Sequence, residues 1–453
     1  MKIIVVGMGK IGHKLAGLLS TAEGHEITVI DTVAERLRDT VNEFDIMGAA
    51  GSGTDVEVLT EAGISEADLV IAVTGSDEVN LLTCLIAKKL GNCETIARVK
   101  KPEYVKALHT IKDDLGLAMV VNTQRACAQE IAKVLRFPSA IQIDTFSKGR
   151  VEILKFRIPD SSPISNVRLC EIGRKLNCDI LICGVERENE AFIPDGNFEL
   201  KAGDLVSFVA TPKNATDFFK KIGIKTNSVK DTLIIGGSET AYYLSQLLIQ
   251  SGIKVKIIEQ STARCEQLCE LLPKATIING DGTDTELLGE EGLKRYESVV
   301  ALTNIDEENI MFSLFAATQT DGKLVTKIDR IAYDNVIGSL GLDTIVNPSN
   351  IAAEHLVRFV RAKDNSLGGN VETIHLILDG KAEALEFSVD EDNPFVGKTL
   401  MELELKKNVL VACITRQGRI IIPRGKDTIL PGDSVIVVTT MQSVKDIKDF
   451  LGA

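Results

Sequence analysis

Apolar residues in the first 121 positions gather into short runs of five to seven: Ile3–Gly7, Ile27–Asp31, Leu69–Gly75, Thr95–Val99 and Leu117–Val121. Most are closed by Gly, Asp or Asn, and stretches of helix length separate them. A run that stays apolar without alternating reads as a strand buried on both faces. Strands that take turns with helices build βαβ units around a parallel sheet. The same pattern returns later as Leu233–Gly237, Lys254–Glu259, Val299–Thr303, Leu324–Ile328 and Asp343–Asn347.

The return is a duplication. Gly53-Thr54-Asp55 matches Gly282-Thr283-Asp284, Thr74 matches Thr303, Asp77 matches Asp306, Asn80 matches Asn309 and Arg98 matches Lys327, all at one offset of 229 positions. The offset persists to Pro194 with Pro423 and to Gly203-Asp204 with Gly432-Asp433. An amphipathic helix follows each sheet region, Thr123–Pro138 in the first copy and Pro348–Ala362 in the second. Each is either an ordinary surface helix or an element exchanged across a dimer interface. Beyond them, residues 141–223 and 371–453 change texture: strand-like runs alternate with turns such as Pro194-Asp195-Gly196 and Leu430-Pro431-Gly432-Asp433.

The expected fold class is therefore α/β, with two Rossmann-like doubly wound parallel sheets, each followed by a small α+β lobe. The expected domains are 1–138, 139–225, 230–363 and 370–453, with a polar linker near Thr226–Asp231.

The bulk numbers narrow the function. The chain has 453 residues, 44% hydrophobic and 25% charged, the profile of an ordinary globular protein. No run of eighteen apolar residues is present and the N-terminus enters a strand directly, so a cytosolic protein is expected. A net charge of −13 argues against nucleic acid and against broad contact with anionic lipid. The nine cysteines form no C-x-x-C, and Cys265 and Cys269 lack a further ligand nearby for zinc. All nine are expected to be buried, reduced thiols, and no metal site is expected.

The candidate chemistry lies at the start of the chain. Gly7-Met8-Gly9-Lys10-Ile11-Gly12 follows a strand and opens a helix, the context that a dinucleotide fingerprint requires. Gly7 permits the tight turn, Gly9 lets the backbone approach a pyrophosphate, and Gly12 lets helix and strand pack closely. Asp31, nineteen residues beyond Gly12, stands where an acid bonds ribose hydroxyls and repels a 2′-phosphate. NAD(H) is favoured over its phosphorylated form, and ATP or ADP at the same site offers the same ribose. The alternative is a glycine turn kept for packing alone. Ser52-Gly53-Thr54 lies in the loop after the predicted third strand, and Val73-Thr74 ends the fourth. Both belong to the carboxyl edge of the sheet, where doubly wound folds bind ligands. Thr74, Asp77 and Asn80 open the next helix, so capping and ligand contact are both open for them. Arg98 is a charge inside an apolar run, placed to meet a phosphate or Asp77.

The second copy keeps Gly236 and has Glu259 in the place of Asp31, but Ser238 and Ala241 replace the second and third glycines. A serine puts a Cβ where phosphate should come closest. Lys327 keeps the charge of Arg98 without its fork. A weakened site is expected. No catalytic group accompanies either copy: there is no Tyr-x-x-x-Lys, Gly-x-Ser-x-Gly, His-Glu-x-x-His or Walker A loop, and the five histidines share no motif. No catalytic residue is expected, and a nucleotide fold duplicated without a reactive group reads as a sensor.

In the ordered set MKIIVVGMGKIG, ITVID, GSGTD, ADLVIAVTGSDEVN and IARVKKPEY, repeated and joined to small C lobes, the chain resembles the TrkA family. These are the cytosolic RCK (KTN) subunits of Trk-type potassium uptake systems, and the resemblance covers essentially the whole length. It implies that Gly7–Ile11, Asp31, Ser52, Gly53, Val73, Thr74 and Arg98 surround a nucleotide. It also implies second-half candidates at Gly236, Glu259, Thr303 and Lys327. The expected assembly is a homo-oligomeric ring, a tetramer, peripheral on the inner face of the membrane beneath an integral K+ uptake subunit that it gates. The competing classes are an NAD-dependent oxidoreductase and an adaptor that keeps the fold without binding nucleotide.

Overall fold

Each half of the chain begins with a six-stranded parallel sheet. In the first half the strands are β1 (Lys2–Val6), β2 (Glu26–Asp31), β3 (Met47–Ala50), β4 (Leu69–Ala72), β5 (Glu94–Arg98) and β6 (Leu117–Val121). They lie in the order β3-β2-β1-β4-β5-β6. This computed structural model describes all residues except 21–23, 102, 106–107, 109–114, 139, 148–149, 189, 225–227, 330–339, 367–370, 379, 442–443, 445 and 453. The start of the expected linker at Thr226–Asp231, and His109, lie outside the described residues.

The order is that of a doubly wound sheet, in which the chain turns back between β1 and β4 and opens a crevice at the carboxyl edge. Ile3, Val5, Leu69, Val70 and Ile71 are at most 1% exposed, as strands covered on both faces must be. Each such side chain contributes roughly 1.5–3 kcal/mol by leaving water. β3 carries none of this signal: MGAA exposes Met47, and only Ala49 is buried.

The first small lobe follows the helix Thr123–Arg136. Its strands are β7 (Gln142–Phe146), β8 (Val151–Arg157), β9 (Val167–Arg168), β10 (Leu181–Arg187), β11 (Glu190–Phe192), β12 (Glu199–Leu200) and β13 (Leu205–Ala210). Five of them form an antiparallel sheet, β11-β10-β13-β8-β7, over a core where Phe156, Phe208, Phe218 and Phe219 meet at ring distances of 4.9–5.9 Å.

The second half repeats both parts. Strands β14 (Asp231–Ile235), β15 (Lys254–Glu259), β16 (Thr276–Asn279), β17 (Ser298–Ala301), β18 (Lys323–Lys327) and β19 (Thr344–Val346) take the order β16-β15-β14-β17-β18-β19. After the helix Pro348–Ser366 come β20 (Val371–Ile377), β21 (Ala382–Ser388), β22 (Val409–Arg416), β23 (Arg419–Ile421) and β24 (Ser434–Thr439), in the order β20-β21-β24-β22-β23.

Packing groups like with like. One compact unit joins Met1–Ala132 to Lys230–Val357, and the other joins Lys133–Val229 to Arg358–Ala453. Within the second unit the two small lobes share a core of Phe146, Ile153, Cys183, Ile377, Ala384 and Cys413. Beside it the buried His375 Nδ1 lies 3.1 Å from Asp144 Oδ1. Among the described residues no helix is long and apolar enough to cross a membrane.

The expectation for the cysteines needs correction. Cys170 and Cys269 are exposed and Cys178 is half-buried, because each sits on a short surface helix or just beyond its end. Burial pushes the Cys84, Cys127, Cys183 and Cys413 thiols up to about 12, so they stay protonated at neutral pH.

Candidate nucleotide site

The three glycines of the first loop have different tasks. Gly7 has φ +99°, and a Cβ there would lie 2.8 Å from the Thr74 Cα. Its amide donates to the Ile30 carbonyl at 2.8 Å, tying the turn to β2. At Gly12 a Cβ would come within 1.9 Å of the Gly7 carbonyl oxygen. These two are required by the fold itself. A Cβ at Gly9 would meet nothing within 4 Å. Packing therefore does not account for Gly9, whose open side suits the close approach of a ligand to the loop. The helix Lys10–Ser20 begins at once, with no acidic residue in its first turn, so its positive end is not neutralised by its own side chains. Met8 and Ile11 are buried, whereas Lys10 is exposed.

Asp31 ends β2, 8% exposed. Its Oδ2 accepts from the Met8 amide at 2.6 Å and its Oδ1 from the Val33 amide at 2.7 Å. The carboxylate is thus fixed against the glycine loop, and its remaining lone pairs can still take hydroxyl donors. Ser52 Oγ and Thr54 Oγ1 are 2.8 Å apart on the neighbouring loop. Gly53 is held to glycine by Val6, whose Cγ1 would lie 2.4 Å from an added Cβ.

The residues after β4 show a further role besides capping and ligand contact. Ser76, which the sequence did not single out, caps the helix Asp77–Gly91. Asn80 is wholly buried: its Oδ1 accepts from the Thr74 amide at 2.8 Å and hydroxyl at 2.7 Å, and its Nδ2 donates to the Arg98 carbonyl at 2.9 Å. Asp77 accepts from the Lys100 and Lys101 amides, both at 2.9 Å. Both side chains are struts that lock the ends of β4 and β5 together. Val73 is buried and continues the ladder to the Val6 carbonyl at 2.9 Å. Arg98 reaches the Val73 carbonyl with Nη1 at 3.4 Å and leaves its buried Nε without a hydrogen-bond partner. Burial lowers its pKa, while Asp77 opposes that shift.

The second copy repeats the frame around the loop, without a counterpart of the Ser76 cap, since Ile305 stands there. Gly236 has φ +93° against the Thr303 backbone, and Glu259 accepts from the Gly237 and Ser261 amides at 2.6 and 2.7 Å. Asn309 takes the Thr303 amide and hydroxyl at 2.9 and 2.8 Å and donates to the Lys327 carbonyl at 3.0 Å. The loop differs. Ser238 caps the helix Glu239–Gln250, and the wholly buried Ala241 stands in the position of Gly12. Lys327, 5% exposed, is paired with Asp329 at 3.4 Å, whereas Arg98 is in no such pair among the described residues.

Residues of both copies line one cleft of about 680 Å³. Lys10, Ile11 and Arg98 contribute from the first, and Ser238, Glu259 and Lys327 from the second. Arg264 and Asp329 line it too, and sequence reasoning passed over both. A hollow of about 800 Å³ lies elsewhere, at the amino edge of the second sheet around the Lys256–Glu291 pair, away from either glycine loop.

Residues 3–123 and 232–348 match the TrkA-N domain family, and residues 153–223 and 384–452 match the TrkA-C domain family. The chain belongs to the TrkA family. It is 30% identical over 458 residues to Trk system potassium uptake protein TrkA homolog 1 of Methanosarcina mazei, covering 99% of this chain and all of that one. The TrkA protein of Halomonas elongata is 29% identical over 456 residues, with 99% and 98% covered. Among solved structures, the GsuK RCK domain aligns with a TM-score of 0.63 at 19% identity, covering 98% of this chain and 93% of that one. The GsuK channel bound to NAD aligns equally well over 77% of its length. That likeness places the tandem TrkA-N and TrkA-C lobes in the RCK fold.

Proposed function

We propose that this chain is the nucleotide-binding regulatory subunit of a Trk-type potassium uptake system. Its lobes 1–138, 139–225, 230–363 and 370–453 act as two sensor–coupler pairs. The first loop, Gly7–Gly12, takes the phosphates, Asp31 takes the ribose, and Ser52–Thr54, Val73, Thr74 and Arg98 form the rim. NAD(H) and ADP or ATP present the same adenosine to that set. The second copy, at Gly236, Glu259, Thr303 and Lys327, is a weakened counterpart. Full-length similarity to proteins named for Trk potassium uptake supports the system, and the open face of Gly9 carries the site.

The subunit acts without catalysis, as a ring of copies on the cytoplasmic side of an integral K+ uptake partner. A ligand that prefers one ring shape shifts the gate only by its difference in affinity. A tenfold preference per site is about 1.4 kcal/mol, and coupled sites multiply it. The test is K+ uptake in cells whose own gene for this subunit is replaced by the Gly9→Val form. Uptake that no longer follows nucleotide supply supports the proposal, and uptake regulated as before refutes it.

A further inference from the structure

The two glycine loops carry opposite charges at the first residue of the helix that follows: Lys10 in the first copy and Glu239 in the second. A second difference lies on the neighbouring helix. Arg36 and Arg264 occupy equivalent positions, five residues beyond Asp31 and Glu259. Arg36 is exposed, and the like charge of Lys10 gives it no reason to fold over its loop. Arg264 does the reverse. Its Nε donates to the Gly237 carbonyl at 2.6 Å, its Nη2 lies 3.1 Å from Glu239 Oε1, and its Nη1 donates to Gln267 Oε1 at 2.5 Å. The side chain is only 19% exposed and lines the cleft beside Ser238 and Glu259.

We infer that Arg264 and Glu239 form a built-in plug that closes the second glycine loop to phosphate. This deepens the nucleotide reading and rests on it. The guanidinium lies across the loop carbonyl at the place where a pyrophosphate would lie along the helix end. The carboxylate sits at the positive end of that helix, where it takes the favourable anion position and repels a second anion. The frame behind the plug is intact, since Glu259 and Asn309 hold the bonds that Asp31 and Asn80 hold. What disables the second copy is then the charge reversal and its clamp more than the Cβ of Ser238.

The experiment is ADP titration of the full-length protein by calorimetry, read as sites per chain. The unmodified protein is expected to bind about one ADP per chain, and Glu239→Lys with Arg264→Ala about two. Adding Gly9→Val to that pair returns the count to about one, now in the second copy. Glu239→Gln with Arg264→Gln is the milder version, and retained binding at the first site shows that either variant is folded. Two sites in the unmodified protein, a gain with Ser238→Gly alone, or no gain in both clamp variants would each overturn the plug. No ADP bound by the unmodified protein would instead bring down the nucleotide reading itself and the plug with it.

Discussion

The two TrkA-N lobes share their frame and part company at the loop. In each, a positive-φ glycine turns the chain after the first strand, an acid at the end of the second strand grips the loop amide, and a buried asparagine ties the fourth strand to the fifth. The differences gather where a ligand would approach: Gly9 against Ser238, Lys10 against Glu239, Arg98 against Lys327. Groups that hold backbone to backbone survive in both copies, because losing one leaves buried polar atoms unpaired. Groups that face the cleft are free to change once the fold no longer depends on them. A duplicated site can lose its ligand without losing its architecture.

The largest effect expected from this contrast is at the third glycine. Gly12→Ala drives a methyl group to within 1.9 Å of a backbone carbonyl and should cost the first lobe about 3 kcal/mol in urea unfolding. Ala241→Gly, at the matching position, removes only one buried methyl group and should cost about 1 kcal/mol. Equal costs would show that the two loops stand at the same distance from their helices. Next come the struts. Asn80→Ala and Asn309→Ala should each cost about 2 kcal/mol, because each leaves a threonine amide and a strand carbonyl unpaired. A large inequality between them would break the claim of a common frame. Smaller still is the loss of the Ser238 cap, where Ser238→Ala should cost about 1 kcal/mol. Gly9→Val should leave stability within about 0.5 kcal/mol while removing nucleotide binding, since its Cβ points into open space. Unfolding curves for these six variants rank the effects directly.

Much of this was legible in the residues, and the reasons for the rest are physical. Strands covered on both faces announce themselves as apolar runs, so β1, β2, β4 and β5 could be read off, and with them the carboxyl edge that carries the loop. β3 was expected only by its place ahead of the Ser52 loop and not as a run of its own, because Met47-Gly48-Ala49-Ala50 has neither a run nor an alternation. Glycine spacing located the turn, but only the backbone separates Gly7 and Gly12, needed for packing, from Gly9, which is not. Thr74, Asp77 and Asn80 looked equally suited to capping and to ligand contact. Their hydrogen bonds assign Asp77 and Asn80 to the frame. The Arg264–Glu239 contact joins two helices through residues 25 apart in sequence, a pairing that periodicity does not encode. The reversal from Lys10 to Glu239 under the repeat offset was its one sequence trace. The shared core of the small lobes was also hidden, since alternation shows which face of a strand is buried and not what covers it.

The most direct test of the central claim is a calorimetric titration of the purified chain with NAD+, NADH, ATP and ADP, repeated on Asp31→Ala. The account predicts saturable binding of an adenine nucleotide at about one site per chain, lost when Asp31 is removed. Binding that survives Asp31→Ala unchanged, or no binding of any of the four, would contradict it.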